Sequence, residues 1–429
     1  MNAAVSQVIE TSLAAPAASR GISLATLGLV AAALLIYTTG NFVVADVFDG
    51  KRYCEGALMV PLGISAAYYW VNKPRCFLDP LVWYVIVKMT VEIALRQEWI
   101  WVLDDVGTLF ALTVLLAAPP RSVLFSVKFL VAVAGVFAMM GLLQWFLLFF
   151  NPDWTRYGLV DDNGVIRQSI DHPVALLGMF TDETYNLFGH PVTRLQSFAT
   201  EPSLNVVYFL LPSALALLLR TRTSLLLAGA MLLFSVLSLS GSVFLSLAFA
   251  GLWFVVVQIV PFGVAFVYGL PAVLVFYLWG ITTFGLDPLF KAFAFFAQYG
   301  DFLAKGESLV ERSGGAVMTM STVLAAPFGA AKHPAFPGPW LINGASEGGW
   351  LGALFLVFFL GKLARQVTVL NRHRGRLSTQ RLATLLFLGI MSTVVAFDDY
   401  QMSNYAGLVM LGFISRFIAL QNEAERSRR

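Results

Sequence analysis

The stretch "FSVKFLVAVAGVFAMMGLLQWFLLFF" (residues 125–150) contains a single charged residue, Lys128. An apolar run of this length forms a helix that crosses the roughly 30 Å hydrocarbon layer of a bilayer, because a helix satisfies its own backbone hydrogen bonds there. Comparable runs recur from one end of the chain to the other. The sequence therefore predicts an all-α, polytopic integral membrane protein.

Composition supports this class of protein. Of the 429 residues, 58% are hydrophobic and 12% are charged, whereas soluble domains carry about 25% charged residues. The net charge of +3 is concentrated in short loops, where membrane topology explains it, so we expect no nucleic-acid partner. The apolar runs lack the ten-residue alternation of outer-membrane strands. We expect one integral membrane domain over residues 1–429.

Twelve apolar runs are long enough to be membrane spans. We predict them at about 22–45, 55–71, 77–95, 98–118, 125–150, 202–219, 224–240, 242–260, 262–283, 345–361, 382–398 and 403–420. Lysine and arginine favour cytoplasmic loops, and the segment 365–381 is rich in arginine. This distribution predicts a multi-pass protein of the plasma membrane with both termini in the cytoplasm.

Two long loops, 151–201 and 284–344, then face outward. In the second, "DPLFKAFAFFAQYGDFL" (287–303) begins near a proline and has a phenylalanine-rich face, which predicts a helix in the membrane interface. Residues 307–329 indicate another short helix that ends before Pro327. The remaining loop sequence is rich in Gly, Pro, Asp and Asn and indicates turns.

Chemistry-bearing residues stand at the end of the first long loop, in "RLQSFATEPS" (194–203). Proline favours the first position of a helix, so the sixth span starts near Pro202 and Glu201 lies at its mouth. Glu201 would stabilise the helix start, and Arg194 would contact the interface. Alternatively, Arg194 binds a phosphate through its planar fork, while Glu201 accepts a proton from a hydroxyl.

The second long loop offers a matching arginine, Arg312. Two arginines from different outer loops could converge on one pyrophosphate and stabilise it as a leaving group, although Arg312 could also be a solvated surface residue. Nearby candidates for substrate binding are His190, Lys332, His333 and Glu347. The four histidines and two cysteines show no metal-ligand spacing, so we expect neither a metal nor a cofactor.

Charged residues also occur inside the predicted spans. Lys88, Glu92 and Arg96 are four residues apart and share a helix face, and Asp104 and Asp105 lie in the next span. Ionisable groups within a membrane are candidates for function, but a structural ion-pair ladder between the third and fourth spans is the favoured interpretation. The small residues of "GGWLG" (348–352) predict close helix packing.

Three motifs together resemble a known family. "RLQSFATEPS" is similar to the arginine-then-Glu-Pro signature of Wzy-type polysaccharide polymerases, which belong to the O-antigen ligase superfamily. The arginine of "SLVERSGG" (308–315) followed by "PFG" (327–329) resembles their second outer-loop motif. "EGGWLG" (347–352) resembles the Glu-x-Gly-x-x-Gly that opens the following helix. The Glu-Pro-Ser form is similar to that of exopolysaccharide polymerases, including the xanthan type.

The resemblance implies a metal-independent glycosyltransferase at the outer face of the bacterial inner membrane. Such an enzyme transfers a growing glycan from undecaprenyl pyrophosphate onto a lipid-linked repeat unit, beside a flippase and a chain-length co-polymerase. Arg194 and Arg312 would hold the pyrophosphate, and Glu201, or else Glu347, would be the base. Ligases carry a His-Asn pair about nine residues before that glutamate, but "GPWLIN" (338–343) has no histidine. This difference favours a polymerase; a ligase and a lipid-linked glycan flippase or transporter remain alternatives.

Overall fold

A computed structural model describes residues 23–39, 51–73, 78–148, 179–187, 190–196, 205–285, 291, 319–332, 338–372, 378–396 and 402–427. Within these ranges, a helix lies at each of the twelve predicted positions. In chain order they are α1 (Leu24–Thr39), α2 (Lys51–Asn72), α3 (Pro80–Val91), α4 (Trp99–Ala117), α5 (Pro120–Leu148), α6 (Leu211–Leu219), α7 (Arg222–Leu237), α8 (Gly241–Val256), α9 (Phe262–Phe284), α10 (Trp340–Asn371), α11 (Thr379–Ala396) and α12 (Tyr405–Arg426).

Three of these helices include a wider π turn, in which each backbone N–H bonds five residues back. One π turn, Glu92–Arg96, continues α3, and a second, Val206–Leu210, leads into α6. The third, Ala265–Gly269, lies inside α9. Such turns insert an extra residue into a helix and are frequent at functional sites.

Several helices have the length and apolar character that a membrane requires. In the described part of the chain, four qualify: residues Pro120–Leu143 of α5, and α9, α10 and α11. Four more apolar helices, α1, α6, α7 and α8, are shorter. The all-α architecture is thus consistent with a multi-pass membrane protein, and the crossing of all twelve helices stays a prediction.

The centre of the bundle is formed by α6, α11 and α12. Every residue of α11 from Ala383 to Ala396 is buried, and so is every residue at the start of α12. The backbones of α11 and α8 touch, because a Cβ atom on Gly389 would lie 2.2 Å from the Ser246 carbonyl oxygen. The Trp253 indole Nε1 of α8 donates to Ser392 Oγ at 2.7 Å. Small residues thus allow close helix approach, as in membrane bundles.

A two-stranded antiparallel hairpin interrupts the helical pattern between α5 and α6. It consists of β1 (Met179–Leu187) and β2 (His190–Gln196), and β2 lies against α5 and α7. The expectation of turns is therefore wrong for this part of the loop 151–201. Three residues lie between Phe180 and Thr184, but only one lies between their partners Leu195 and Thr193, so β1 carries a bulge.

The end of the second long loop agrees with its sequence pattern. Residues 319–325 are helical, and the helix stops before Pro327 as expected. The expected interfacial helix at 287–303 lies outside the described residues, except for Lys291. Helix α10 starts at Trp340, five residues before the predicted start at 345, so the connection is shorter than 284–344.

Candidate functional site

The buried ammonium of Lys88 joins several parts of the bundle. Lys88 Nζ lies 3.1 Å from Asp105 Oδ1 of α4 and 3.8 Å from Glu347 Oε2 of α10. It also donates to the Ser403 carbonyl oxygen, just before α12, at 2.9 Å. Lys88 and Asp105 are 3% and 1% exposed. We call Lys88, Asp105 and Glu347, with Tyr84, the charged core.

Burial makes the charged core costly to form and costly to break. Each ion that leaves water costs several kcal/mol after relaxation, and only close partners offset this. Lys88 and Asp105 form the predicted link between the third and fourth helices, so that part of the ion-pair ladder is confirmed. Glu347, which the sequence suggested as a substrate-binding residue and as the second candidate for the base, also takes part.

Glu347 is held from one side. Both Tyr84 and Lys88 contact its Oε2 atom, and the Tyr84 hydroxyl donates to it at 2.9 Å. The Glu347 side chain nevertheless remains 12% exposed, compared with 1% for Asp105. The protein therefore fixes one oxygen of this carboxylate, and a small part of the side chain remains exposed.

The small residues of α10 make room for Tyr84. A Cβ atom on Gly344, Gly348 or Gly352 would lie 3.6–3.9 Å from the Tyr84 ring. All three glycines therefore lie against the same aromatic ring, where a larger side chain would crowd Tyr84. The close packing predicted from "GGWLG" is confirmed for Gly348 and Gly352, which face α3.

A second buried cation, Arg96, lies at the end of the first π turn. Its Nε donates to the Ala330 carbonyl oxygen at 2.9 Å, and one terminal nitrogen donates to the Ser346 carbonyl oxygen at 3.1 Å. The other terminal nitrogen donates to Glu92 within the same π turn. The Glu92–Arg96 pair thus stays in one element, and Arg96 reaches the end of the second long loop and α10.

Helix α10 is broken where Arg96 meets it. Gly349 has φ 63° and ψ −170°, a combination essentially restricted to glycine. In a continuous helix the Trp350 N–H would donate to the Ser346 carbonyl oxygen. Instead it donates to the Pro327 carbonyl oxygen at 2.9 Å, and Ser346 accepts from the Ala330 N–H at 2.8 Å.

Residues 327–330 are therefore inserted into the hydrogen-bond ladder of α10. We call this arrangement, residues 327–330 with 346–350 and Arg96, the loop-2 junction. It brings "PFG" and "EGGWLG" into direct contact, although 18 positions separate Gly329 from Glu347. Glu347 belongs to both the junction and the charged core, so these two features are one continuous site.

The other predicted site residues are distributed as follows. Arg194 lies on β2 between Thr193 and Leu195, opposite the bulge of β1, and His190 is the first residue of β2. Lys332 is exposed, at the end of the segment 319–332. Glu201, Arg312 and His333 lie outside the described residues, so their convergence with Arg194 stays a prediction.

Sequence reasoning missed two polar residues. Tyr84 gave no signal beyond a hydroxyl within an apolar run. Asn205, four positions after Glu201 in the sequence, is fully buried, and among the described residues neither its amide oxygen nor its amide nitrogen has a hydrogen-bond partner. An unsatisfied buried amide is rare and points to water or a ligand. An asparagine directly before the largely apolar run of fourteen residues at 206–219 could have indicated it.

Comparisons with known proteins give no further guidance. No family model matches this chain, and no curated protein or solved structure is similar to it. In the part of the chain that the structure describes, no group of three or more His, Cys, Asp or Glu side chains is placed to hold a metal ion. Function must therefore be argued from the site itself.

Proposed function

We propose that this protein is a polysaccharide polymerase of the bacterial inner membrane. It would transfer a growing glycan from undecaprenyl pyrophosphate onto a lipid-linked repeat unit at the outer face. The observation that carries the proposal is the loop-2 junction. Two motifs that resemble consecutive polymerase motifs, "PFG" and "EGGWLG", are joined by backbone hydrogen bonds, and the second begins with Glu347, whose side chain is 12% exposed.

The reaction needs charge neutralisation and a proton acceptor. The acceptor hydroxyl oxygen bonds to the anomeric carbon, the bond from that carbon to the pyrophosphate breaks, and the hydroxyl proton passes to a base. Arg194 and Arg312 would hold the pyrophosphate, since a guanidinium binds phosphate oxygens in pairs. The arginines would stabilise the leaving group in the role that a metal ion has in other transferases.

Two carboxylates are candidates for the base. Glu201 remains the first, four positions before Asn205 in the sequence. The unsatisfied amide of Asn205 supports a polar site in this region. Glu347 is the second, because Tyr84 and Lys88 fix its Oε2 atom while part of the side chain remains accessible. His190, Lys332 and His333 would contact sugars or phosphates.

The geometry around Arg194 is compatible with this role. A β-bulge redirects side chains and is frequent next to active sites, and Arg194 lies opposite the bulge of β1. The hairpin lies against α5 and α7, and the π turn that leads into α6 packs against the same two helices. The backbone of Arg194 and the start of the sixth span are thus close to a common pair of helices.

The test is polymer formation from purified lipid-linked repeat units by the full chain in proteoliposomes. We expect Arg194→Lys, Arg312→Lys and Glu201→Gln each to lower the rate on the order of 10²–10³-fold, the cost of losing one preorganised group. The matched controls are Arg372→Lys and Glu423→Gln, both far from the site. Normal rates for all three variants at normal abundance would contradict this assignment of the site.

A transporter or flippase of lipid-linked glycans is the second candidate, and one observation favours it. Many secondary transporters bind their substrates at broken helices near the middle of the membrane, and α10 is broken at Gly349 beside buried charges. The two functions differ in what accumulates when the protein is removed. Single repeat units at the outer face would indicate a polymerase, and repeat units trapped inside would indicate transport.

A further inference from the structure

The position of Arg96 assigns it a task that neither the motifs nor the resemblance suggest. Arg96 belongs to the π turn after α3, yet it donates to carbonyl oxygens of two other parts of the chain. One carbonyl, of Ala330, lies in the inserted segment. The other, of Ser346, lies in the first half of the broken helix. Its guanidinium is therefore the point where α3, the second outer loop and α10 meet.

The contacts of Arg96 with the two carbonyl oxygens involve a buried, neutralised charge. The Arg96 side chain is fully buried, and the carboxylate of Glu92, also fully buried, neutralises it. Hydrogen bonds from a charged donor are about twice as strong as neutral ones. A planar guanidinium can donate in three directions at once, which a lysine ammonium on a flexible stem does not reproduce. Only an arginine serves Glu92, Ala330 and Ser346 together.

The helix break creates the need for such a donor. Where α10 is interrupted, Ser346 loses the N–H of Trp350 as a partner and accepts from Ala330 and Arg96 instead. A buried carbonyl without a partner is destabilising, so the inserted segment and Arg96 stabilise the break together. Glu347 follows Ser346 directly, so its position depends on the same contacts.

We propose that Arg96 is a positioning residue that anchors the end of the second outer loop, residues 327–332, to the bundle and thereby places Glu347 for the transfer reaction. The anchoring is independent of what the protein does. The effect on the reaction rests on the proposed function. Arg96 contacts no substrate in this scheme and acts through the loop-2 junction.

The anchoring is tested first, with a reporter that needs no activity. In a full chain whose Cys54 and Cys76 are replaced by serine, Ala330→Cys places a thiol where the side chain is 3% exposed. The purified protein in nanodiscs is treated with a maleimide. We expect Arg96→Lys to raise the labelling rate roughly tenfold or more, because bonds from a charged donor are lost. Lys332→Cys, at an exposed position, should label equally fast with and without Arg96→Lys.

The effect on the reaction is measured on the same variants with Ala330 restored. At saturating lipid-linked substrate, Arg96→Lys should lower kcat by roughly 100-fold, as small misplacements of a reacting group do, with KM changed little. Arg372→Lys is the matched control and should leave both constants unchanged. Glu92→Gln keeps the contacts of Arg96 but removes its counter-charge, and should give intermediate labelling and intermediate kcat.

The outcomes separate the two proposals. An unchanged labelling rate in Arg96→Lys would overturn the anchoring. Faster labelling with a normal kcat would overturn the positioning role. If the wild-type protein forms no polymer, the proposed function fails, while the labelling rates still decide whether Arg96 holds the segment. If Arg96→Lys is not recovered from membranes, Glu92→Gln takes its place. Labelling of Glu92→Gln at the wild-type rate would then overturn the anchoring, and faster labelling with a wild-type kcat would overturn the positioning role.

Discussion

Replacing Gly349 by alanine should open the loop-2 junction without touching any charged residue. The backbone at Gly349 has φ 63° and ψ −170°, where an L-amino acid is strained. An added Cβ atom would lie 2.5 Å from the Pro327 carbonyl oxygen and 2.8 Å from the Phe328 carbonyl carbon. Both atoms belong to the backbone, so neither can rotate away as a flexible side chain would.

The expected loss of docking follows from the backbone strain at residue 349 and from the steric contacts of the added Cβ atom. A residue held in a sparsely populated backbone region costs about 1–3 kcal/mol, and the contacts with Pro327 and Phe328 add to this cost. A total of about 3 kcal/mol changes an equilibrium by roughly 100-fold, since 1.4 kcal/mol is a factor of ten. We therefore expect the equilibrium between the docked and undocked segment to shift by about that factor.

The assay is maleimide labelling at Ala330→Cys, together with thermal unfolding of the purified full chain. Gly349→Ala should label much faster than the parent and form polymer more slowly. The matched control is Gly361→Ala in the same helix, where an added Cβ meets nothing within 4 Å and alanine favours the helix by roughly 0.5–1 kcal/mol. Equal labelling of Gly349→Ala and its parent would refute the idea that this glycine permits the insertion.

Three other outcomes are expected. Lys88→Met leaves Asp105 buried without its cation and should destabilise the protein by about 3–5 kcal/mol. The double variant Lys88→Met with Asp105→Asn should recover part of that stability. If thermal unfolding shows that the losses of the two single variants simply add in the double variant, the pairing of Lys88 with Asp105 is contradicted. Tyr84→Phe keeps the ring against the glycines but loses the hydrogen bond to Glu347, so the free energy of unfolding should fall by about 1–3 kcal/mol. An unchanged stability in thermal unfolding would show that this hydrogen bond is unimportant. A cysteine at Arg374 should label only from the cytoplasmic side in intact cells, and external labelling would reverse the proposed topology.

The positions of the helices were predictable because the signal is local. A membrane-length apolar run with few charges has few alternatives to a helix, so α1–α12 lie close to the expected ranges. Periodicity also predicted that Lys88 faces α4, since residues four apart share a helix face. The end of the short helix before Pro327 followed from the missing N–H and fixed backbone of proline.

The hairpin and the helix break depend on information that the local sequence does not carry. The hairpin has a polar, loop-like composition, and its pattern is obscured by the bulge between Phe180 and Thr184. The motif "GGWLG" is compatible with a continuous, closely packed helix, and only the insertion of residues 327–330 makes Gly349 a break. Glu347 meets Tyr84 across 263 positions of sequence, a separation that no short motif encodes.

The burial of α11 has a consequence for how the chain is made. This helix carries Gln380, Thr384, Ser392 and Thr393, and it is the least apolar of the four membrane-length helices. A translocon releases segments into lipid according to their apolarity, so α11 would enter a bilayer on its own less readily than α5, α9 or α10 would. Its main neighbours α6, α8 and α9 are synthesised earlier, and they can offer Ser246 and Trp253 as polar partners. Because these neighbours are synthesised first, their polar side chains would already be available when α11 leaves the ribosome.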